Sequence, residues 1–233
     1  MVNDPFVEHR NPLHAAINDA IAGLEFSHSQ LLGQRVSALH SHHGHEPFVP
    51  ALLCAFTAET MGAEPKAALT VATALGLIEA SAYVVDDLVA AGSGGDTEPH
   101  GLIAQWGVPR TLNAADAFFA LANEALVRLQ DLGFEASRVL RIADELNEGS
   151  RAWAEESDAR FSADVLETQH PSYALLAAAV RIGALTGGFE GDLDTLSAGI
   201  VENDSAAIWS ALHPSAAPPF AEAAIYLAGV PRE

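Results

Sequence analysis

The sequence predicts an all-α protein, with one helical domain over residues 1–212 and a linker with a short C-terminal helix over residues 213–233. Alanine and leucine dominate the apolar residues, and runs of β-branched residues are scarce. Apolar residues recur every three or four positions, the spacing of an amphipathic helix, and no segment alternates as a half-buried strand does. We therefore expect roughly seven to nine helices in one bundle.

The individual helices follow from this periodicity and from the residues that interrupt it. A histidine-rich segment with Pro47 ends the first helix, Gly62 ends the second, and Pro65 suits the first turn of the third. A glycine-rich loop at 91–97 follows the third helix, and the segment HPSAAPP precedes the last one. The helices are predicted at 12–39, 48–61, 65–89, 111–132, 134–161, 171–185, 192–212 and 220–227.

The net charge excludes several classes of protein. The chain carries 31 acidic residues against 11 basic ones, a formal charge of −20. Nucleic acid binding needs clustered Lys and Arg, and an anionic membrane surface would repel this chain. Cys54, the single cysteine, excludes a disulfide framework and a cysteine-based zinc site. The first ten residues lack signal-peptide features and no apolar run reaches about 18 residues, so we expect a cytoplasmic protein without a membrane span.

Two adjacent carboxylates stand at the end of the third predicted helix. Asp86 and Asp87 follow an apolar run and precede the glycine-rich loop. Mg²⁺ prefers oxygen ligands, often takes only one or two protein carboxylates, and shares its remaining positions with water and substrate phosphate. The pair therefore fits a magnesium site at the mouth of a helical bundle. On spacing alone, the solvated end of a helix accounts for the pair better.

Two further polar clusters allow weaker interpretations. The segment 40–45 (HSHHGH) offers imidazole ligands for a metal, but it lies in a predicted loop, where solvated histidines are common. Glu202 and Asp204 form a late acidic cluster that fits an exposed helix face better than a metal site. Neither cluster alone identifies a function.

The segments 76–87 (GLIEASAYVVDD) and 105–126 (QWGVPRTLNAADAFFALANEAL) resemble the trans-isoprenyl diphosphate synthases, also called polyprenyl synthetases. Asp86 and Asp87 fall on the first two aspartates of that family's Asp-Asp-x-x-Asp motif. Asn113 and Asp116 fall on its Asn-Ala-Gly-Asp signature, and Asp158 falls on the aspartate of its Gly-Gln-x-x-Asp signature. The resemblance covers roughly residues 46–188.

The resemblance implies an all-α isoprenoid synthase-type bundle that binds a prenyl diphosphate. It implies a catalytic role for Asp86, Asp87 and Asp158, with Mg²⁺ as cofactor on the first two if the protein is active. It also implies a homodimer, or a heteromer with a full-length synthase. The remaining residues that it implicates are Tyr83, Asn113, Asp116 and Glu155 in substrate binding, and Phe118, Phe119 and Leu126 near the subunit interface.

The departures from the family pattern concern its phosphate-binding groups. Ala90 replaces the third aspartate of the first motif, and Gly95 and Asp96 replace two loop arginines. The basic Gly-Lys-Arg-x-Arg-Pro signature falls on residues 45–50 (HEPFVP), and the Lys-Thr pair falls on residues 171–172 (PS). The second Asp-rich motif has no match, and the chain is shorter at its C-terminal end than the family usually is.

Two functional hypotheses follow, because a diphosphate is held by metal ions, Arg and Lys. In the first, the protein is degenerate in chain elongation and acts as a prenyl-binding or regulatory partner subunit. In the second, it is a Mg²⁺-dependent enzyme that acts on an allylic prenyl diphosphate, as a cyclase or as a prenyltransferase to an unusual acceptor. There Asp86 and Asp87 hold the metal, completed by Asp158 or by the Glu202 and Asp204 cluster.

Overall fold

The computed structural model describes residues 4–23, 48–92, 101–162, 172–202, 219, 220 and 223. Within these ranges the chain forms seven α-helices and one 3-10 helix and no strand, which confirms the all-α prediction. The helices are α1 (Arg10–Ala22), α2 (Val49–Thr60), α3 (Pro65–Gly92), α4 (Gly101–Val127), the 3-10 helix Gln130–Leu132, α5 (Ala136–Ser162), α6 (Tyr173–Thr186) and α7 (Leu193–Val201).

Helix α4 differs from its predicted bounds at both ends. It was expected at 111–132, but it begins at Gly101 and ends at Val127, and residues 130–132 form a 3-10 helix instead. Gly107 has a non-helical backbone (φ 70, ψ 166) and Pro109 follows it. Two helical segments therefore meet at a kink, because neither residue supports a continuous hydrogen-bond ladder. The sequence pattern predicts that the helix begins just after this kink.

The other helix ends carry recognisable signals. Gly62, with φ at +98, follows the end of α2, and α3 begins at Pro65. Ser172 caps α6 by accepting a hydrogen bond from the Leu175 amide at 3.3 Å, and Asp192 caps α7 in the same way. Helix α3 continues to Gly92, two residues into the predicted glycine-rich loop. Helix α1 ends at Ala22 and α7 ends at Val201, well before the predicted ends at 39 and 212. The predictions for 24–47, 93–100, 163–171, 203–218, 221–222 and 224–233 lie outside the described residues.

Helix α3 is the centre of the bundle. Every residue from 71 to 80 is buried, and the helix contacts α1, α2, α4, α5 and α6. Contrary to the sequence expectation, its segment Pro65–Val85 is long and apolar enough to cross a membrane by length and composition. Since 72% of that segment's most apolar window is buried inside the protein, it has the environment of a core helix.

Helices α2 and α6 cross closely at Gly183. A Cβ atom placed on Gly183 would lie 2.6 Å from the Cys54 carbonyl oxygen and 2.7 Å from the Thr57 Cβ atom. Glycine at this position therefore allows the two backbones to approach. At Gly76 of α3, a Cβ atom would instead meet the flexible end of the Ile17 side chain at 2.6 Å.

We expect Gly183→Ala to lower the free energy of unfolding by about 1–3 kcal/mol, because the added methyl group meets backbone atoms that move only with the helix. Urea denaturation measures this change. Gly76→Ala is the matched control and should cost less, since the Ile17 side chain can turn away. An equal or smaller effect of Gly183→Ala would contradict the proposed close crossing.

Thr57 lies at the same crossing with a buried hydroxyl group. Its side chain is fully buried, and its Oγ1 atom has no hydrogen-bond partner in the part of the chain that the structure describes. The Thr186 hydroxyl, by contrast, donates to the Ile182 carbonyl oxygen at 2.7 Å. A buried hydroxyl without a partner destabilises the folded state, because it has lost its hydrogen bonds to water.

Thr57→Val should therefore raise the free energy of unfolding by about 1 kcal/mol, since it keeps the shape and removes the unpaired hydroxyl. Thr186→Val is the control and should be neutral or destabilising, because it removes a hydrogen bond that is made. Thermal unfolding of both variants measures the difference. A melting temperature of Thr57→Val below that of the wild type would contradict an unpaired Thr57 hydroxyl group.

Candidate functional site

The residues implicated by the sequence are carried by three helices. Asp86 and Asp87 lie on α3, close to its C-terminal end at Gly92. Their side chains are outside the described set, so their role in metal binding stays a prediction. Among the side chains that are described, no three or more His, Cys, Asp or Glu residues lie together as metal ligands. As a donor set, two carboxylates suit Mg²⁺, but Ala90 supplies no third ligand.

Helix α4 presents its signature residues on two faces. Ala114 and Ala115 are buried, and the Ser81 hydroxyl of α3 donates to the Ala115 carbonyl oxygen at 3.0 Å. Asn113 and Asp116 are exposed. The alanines of the signature thus pack on the helix that carries Asp86 and Asp87, while its two polar residues point away from the core. Their predicted role in substrate binding stays untested.

The remaining predicted residues lie on α3 and α5. Tyr83 is half-buried on α3, two positions after Ser81. Asp158 and Glu155 are exposed on α5. Glu155 accepts a hydrogen bond from the Arg151 guanidinium, which also binds Glu148 at 2.6 Å. This exposed charged row is typical of a solvated helix face, so Glu155 can bind a ligand only if its ion pair with Arg151 breaks.

A buried carboxyl group that the sequence analysis missed lies at the N-terminus of α2. Glu79 of α3 is 4% exposed and accepts a hydrogen bond from the Ala51 amide at 2.8 Å. Burial raises the pKa of Glu79 to about 8, and the Ala51 hydrogen bond offsets only part of that rise. The sequence signal was present: Glu79 is the only acidic residue between positions 65 and 85.

A second carboxyl group lies at the N-terminus of α6. Glu156 of α5 is half-buried and accepts hydrogen bonds from the Ser172 hydroxyl at 2.5 Å and from the Ala174 amide at 3.0 Å. Free amide groups make a helix N-terminus a favourable place for an anion. At both α2 and α6 an internal carboxyl group already occupies this place. These two helices begin next to the segments that match the family's basic signature and its Lys-Thr pair.

The residues that begin α2 also differ from those expected at a phosphate-binding site. Val49, which stands at a basic position of the family signature, is 2% exposed. Phe48 before it is buried as well and adopts a left-handed backbone conformation, with φ at 59. A cationic side chain at Val49 would have to be buried, which is costly. The local structure is therefore unfavourable for the missing cation.

One face of α4 carries three exposed apolar residues, with the exposed Asp116 beside them. Val108, Leu112 and Phe119 are 54%, 49% and 40% exposed. Their spacing of four and seven residues places them along one side of the helix. Phe118 and Leu126 are buried in the core, at 1% and 2% exposure, because their side of α4 faces inward. Of the three residues named for the interface, only Phe119 is thus exposed.

No protein-family model matches the sequence, and no curated protein matches it. Solved structures do match the fold. A polyprenyl synthetase from Streptomyces coelicolor is 23% identical, with a TM-score of 0.61, and the match covers 84% of this chain and 61% of that one. A FPP/GFPP synthase from Zymomonas mobilis is 15% identical, with a TM-score of 0.69, over 95% of this chain and 96% of that one. A heterotetrameric geranyl pyrophosphate synthase from mint has a TM-score of 0.54 at 17% identity, over 94% of each chain.

At these identities the likeness establishes the fold and leaves the activity open. The chain spans about three fifths of the length of the Streptomyces structure and of two geranylgeranyl pyrophosphate synthases, at 61%, 63% and 63%. The matched structures and the matched sequence segments point to the same architecture. This chain has the helical-bundle fold of the trans-isoprenyl diphosphate synthases.

Proposed function

We propose that this chain is a polyprenyl synthetase-like protein of isoprenoid metabolism that no longer elongates prenyl chains and acts as a prenyl-binding or partner subunit. The observation that carries the proposal is that an internal carboxyl group accepts an amide hydrogen bond at each of two helix N-termini. Glu79 occupies the start of α2 and Glu156 occupies the start of α6. An incoming diphosphate meets no free amide group at the Ala51 and Ala174 positions, and Glu156 adds negative charge beside α6.

The loss of groups that bind the diphosphate is decisive for catalysis because of electrostatics. Ionising an allylic diphosphate requires groups that stabilise the departing negative charge, and such stabilisation is usually the largest catalytic contribution. Val49 and Asp96 stand at positions that are basic in the family pattern. The bundle itself keeps its apolar helices. The protein can therefore still bind a prenyl chain after losing the groups that ionise the diphosphate.

This proposal predicts that the ligand is recognised by its prenyl chain. Farnesol and farnesyl diphosphate should raise the melting temperature by similar amounts, with or without Mg²⁺, while inorganic pyrophosphate should leave it unchanged. Differential scanning fluorimetry measures all three shifts. A shift with pyrophosphate alone, or a shift that requires the diphosphate and Mg²⁺, would contradict the loss of diphosphate binding. The absence of any shift would contradict prenyl binding.

The partner role is supported by the exposed face of α4 formed by Val108, Leu112 and Phe119. An exposed apolar row on one helix face is typical of a subunit interface. The mint protein matched above is a heterotetramer, which is a precedent for assembly in this fold. We therefore assign the α4 face to contact with a second copy or with a complete synthase.

Leu112→Glu should weaken that contact, because a carboxylate would be buried in an apolar interface. Size-exclusion chromatography with light scattering should give a dimer for the wild type and a monomer for the variant. Leu140→Glu is the matched control and should leave the dimer intact, since Leu140 is 65% exposed on α5. A monomeric wild type would remove the homodimer from the proposal, and binding to a complete synthase would then be measured directly.

The alternative function is a Mg²⁺-dependent enzyme acting on an allylic prenyl diphosphate. The observation in its favour is that Asp86 and Asp87 stand together near the end of α3, as oxygen ligands for Mg²⁺ do. Bound Mg²⁺ would neutralise charge on the diphosphate. The residues that would hold the metal are Asp86 and Asp87, with Asp158 or the Glu202 and Asp204 cluster completing the site.

This alternative predicts Mg²⁺-dependent release of pyrophosphate from geranyl or farnesyl diphosphate. Asp86→Ala should abolish the release, because it removes a metal ligand. Asp144→Ala, at an exposed position of α5, should leave it unchanged. A coupled pyrophosphate assay measures both. Inactivity of the wild type with every prenyl length and divalent metal tried would exclude the enzyme and favour the subunit.

A further inference from the structure

Glu79 is the one acidic or basic side chain that is buried in the part of the chain that the structure describes. Neither functional proposal requires its titration. It lies in the middle of α3, inside the fully buried segment 71–80, and its described hydrogen bond joins α3 to the first turn of α2. The bond spans 28 residues of sequence, so it exists only when the two helices are packed together.

The start of α2 offers Glu79 a single donor. Pro50 has no amide hydrogen, and the Leu52 amide donates to the Phe48 carbonyl oxygen at 2.8 Å. The Ala51 amide is therefore the one donor in this turn that reaches the carboxyl group. A buried ionised carboxylate usually needs a cation or several donors to replace its lost water. One amide satisfies a neutral carboxyl group much better than a charged one.

The neighbouring helices supply no cation to Glu79 among the residues described. The titratable group that faces it from α2 is the Cys54 thiol, whose pKa is raised by burial and by the charge of Glu79. Helix α1 faces α3 with Ile17, and its His14 ring packs near Phe48. On α6, Arg181 is held by Asp194 at 2.9 Å. Ser81 marks the contact of α3 with α4, and the acidic Asp116 there is exposed.

We propose that Glu79 is a protonation-dependent tie between α2 and α3: the two helices pack most stably while its carboxyl group is neutral, and ionisation weakens their packing because lost hydration outweighs the stronger hydrogen bond from the Ala51 amide. Water solvates the ionised carboxylate better than one amide does, so ionisation favours states in which the two helices separate. The tie lies two helical turns before Asp86 on the same helix. It therefore couples proton concentration to the packing of the helix that carries Asp86 and Asp87.

The direction of the pH dependence follows from the pKa of Glu79, which rises from 4.5 to about 8 on folding. Below pH 4.5 both the folded and the unfolded chain are protonated at Glu79, and the full stability is present. Between pH 4.5 and about 8 the unfolded chain binds fewer protons, so the free energy of unfolding falls as the pH rises. Above that interval both states are ionised and the contribution is constant.

The test compares the wild type with Glu79→Gln, which keeps an oxygen that can accept the Ala51 hydrogen bond and cannot ionise. Urea unfolding is measured at several values between about pH 5 and about pH 9. The ratio of the two unfolding equilibrium constants should change at least about tenfold across this range, with the wild type becoming relatively less stable at high pH. Glu64→Gln, at an exposed position, should give a constant ratio. A Glu79→Gln ratio that is independent of pH would overturn the proposal.

Hydrogen exchange of the wild type tests the same tie without a variant. The Ala51 amide donates to Glu79, while the neighbouring Leu52 amide donates to Phe48 and serves as the internal control. After correction for the intrinsic rate, protection of Ala51 should fall relative to that of Leu52 as the pH passes about 8. A ratio of the two protections that does not change with pH would overturn the proposal, even if Glu79→Gln did not fold.

Discussion

The burial of α3 is the constraint on which the rest of the structure depends. Because every residue from 71 to 80 is buried, the helix needs neighbours on all sides, and α1, α2, α4, α5 and α6 supply them. The helices around α3 are correspondingly close to one another, as at Gly183, where a side chain would hold α2 and α6 apart. The burial of α3 also explains why a carboxyl group on this helix has to find its partner inside the protein.

The partners of the two internal carboxyl groups connect the fold to the function. A helix N-terminus attracts negative charge from whatever source is nearest. In this chain the amide groups at these two places already donate to carboxyl groups of neighbouring helices, Glu79 at α2 and Glu156 at α6. The same groups that stabilise the starts of α2 and α6 thereby compete with a phosphate ligand for the amide groups. Under the proposed function, structural support and the loss of diphosphate binding are consequences of one arrangement.

Much of the fold could be predicted from the sequence because helical periodicity is a local property. It placed four of the seven described α-helices within a few residues at both ends, but it extended α1 and α7 too far and failed at the start of α4, where Gly107 and Pro109 interrupt the pattern without ending the helix. Periodicity did not distinguish buried Phe118 from exposed Phe119. Both side chains are apolar, and tertiary packing decides which of them faces the core. The pairs Glu79–Ala51 and Glu156–Ala174 are 28 and 18 residues apart, and no local pattern reveals them.

The acidity of the chain has two parts with different origins. Exposed carboxylates such as Glu148 and Glu155 pair with Arg151 on a solvated helix face, and the solubility that surface charge confers is sufficient to explain them. Glu79 is buried and Glu156 is half-buried, so solubility does not account for either. A buried carboxyl group destabilises the fold unless hydrogen bonds compensate for its lost hydration. The −20 charge is therefore less informative about function than these two groups, whose positions at the starts of α2 and α6 bear directly on anion binding.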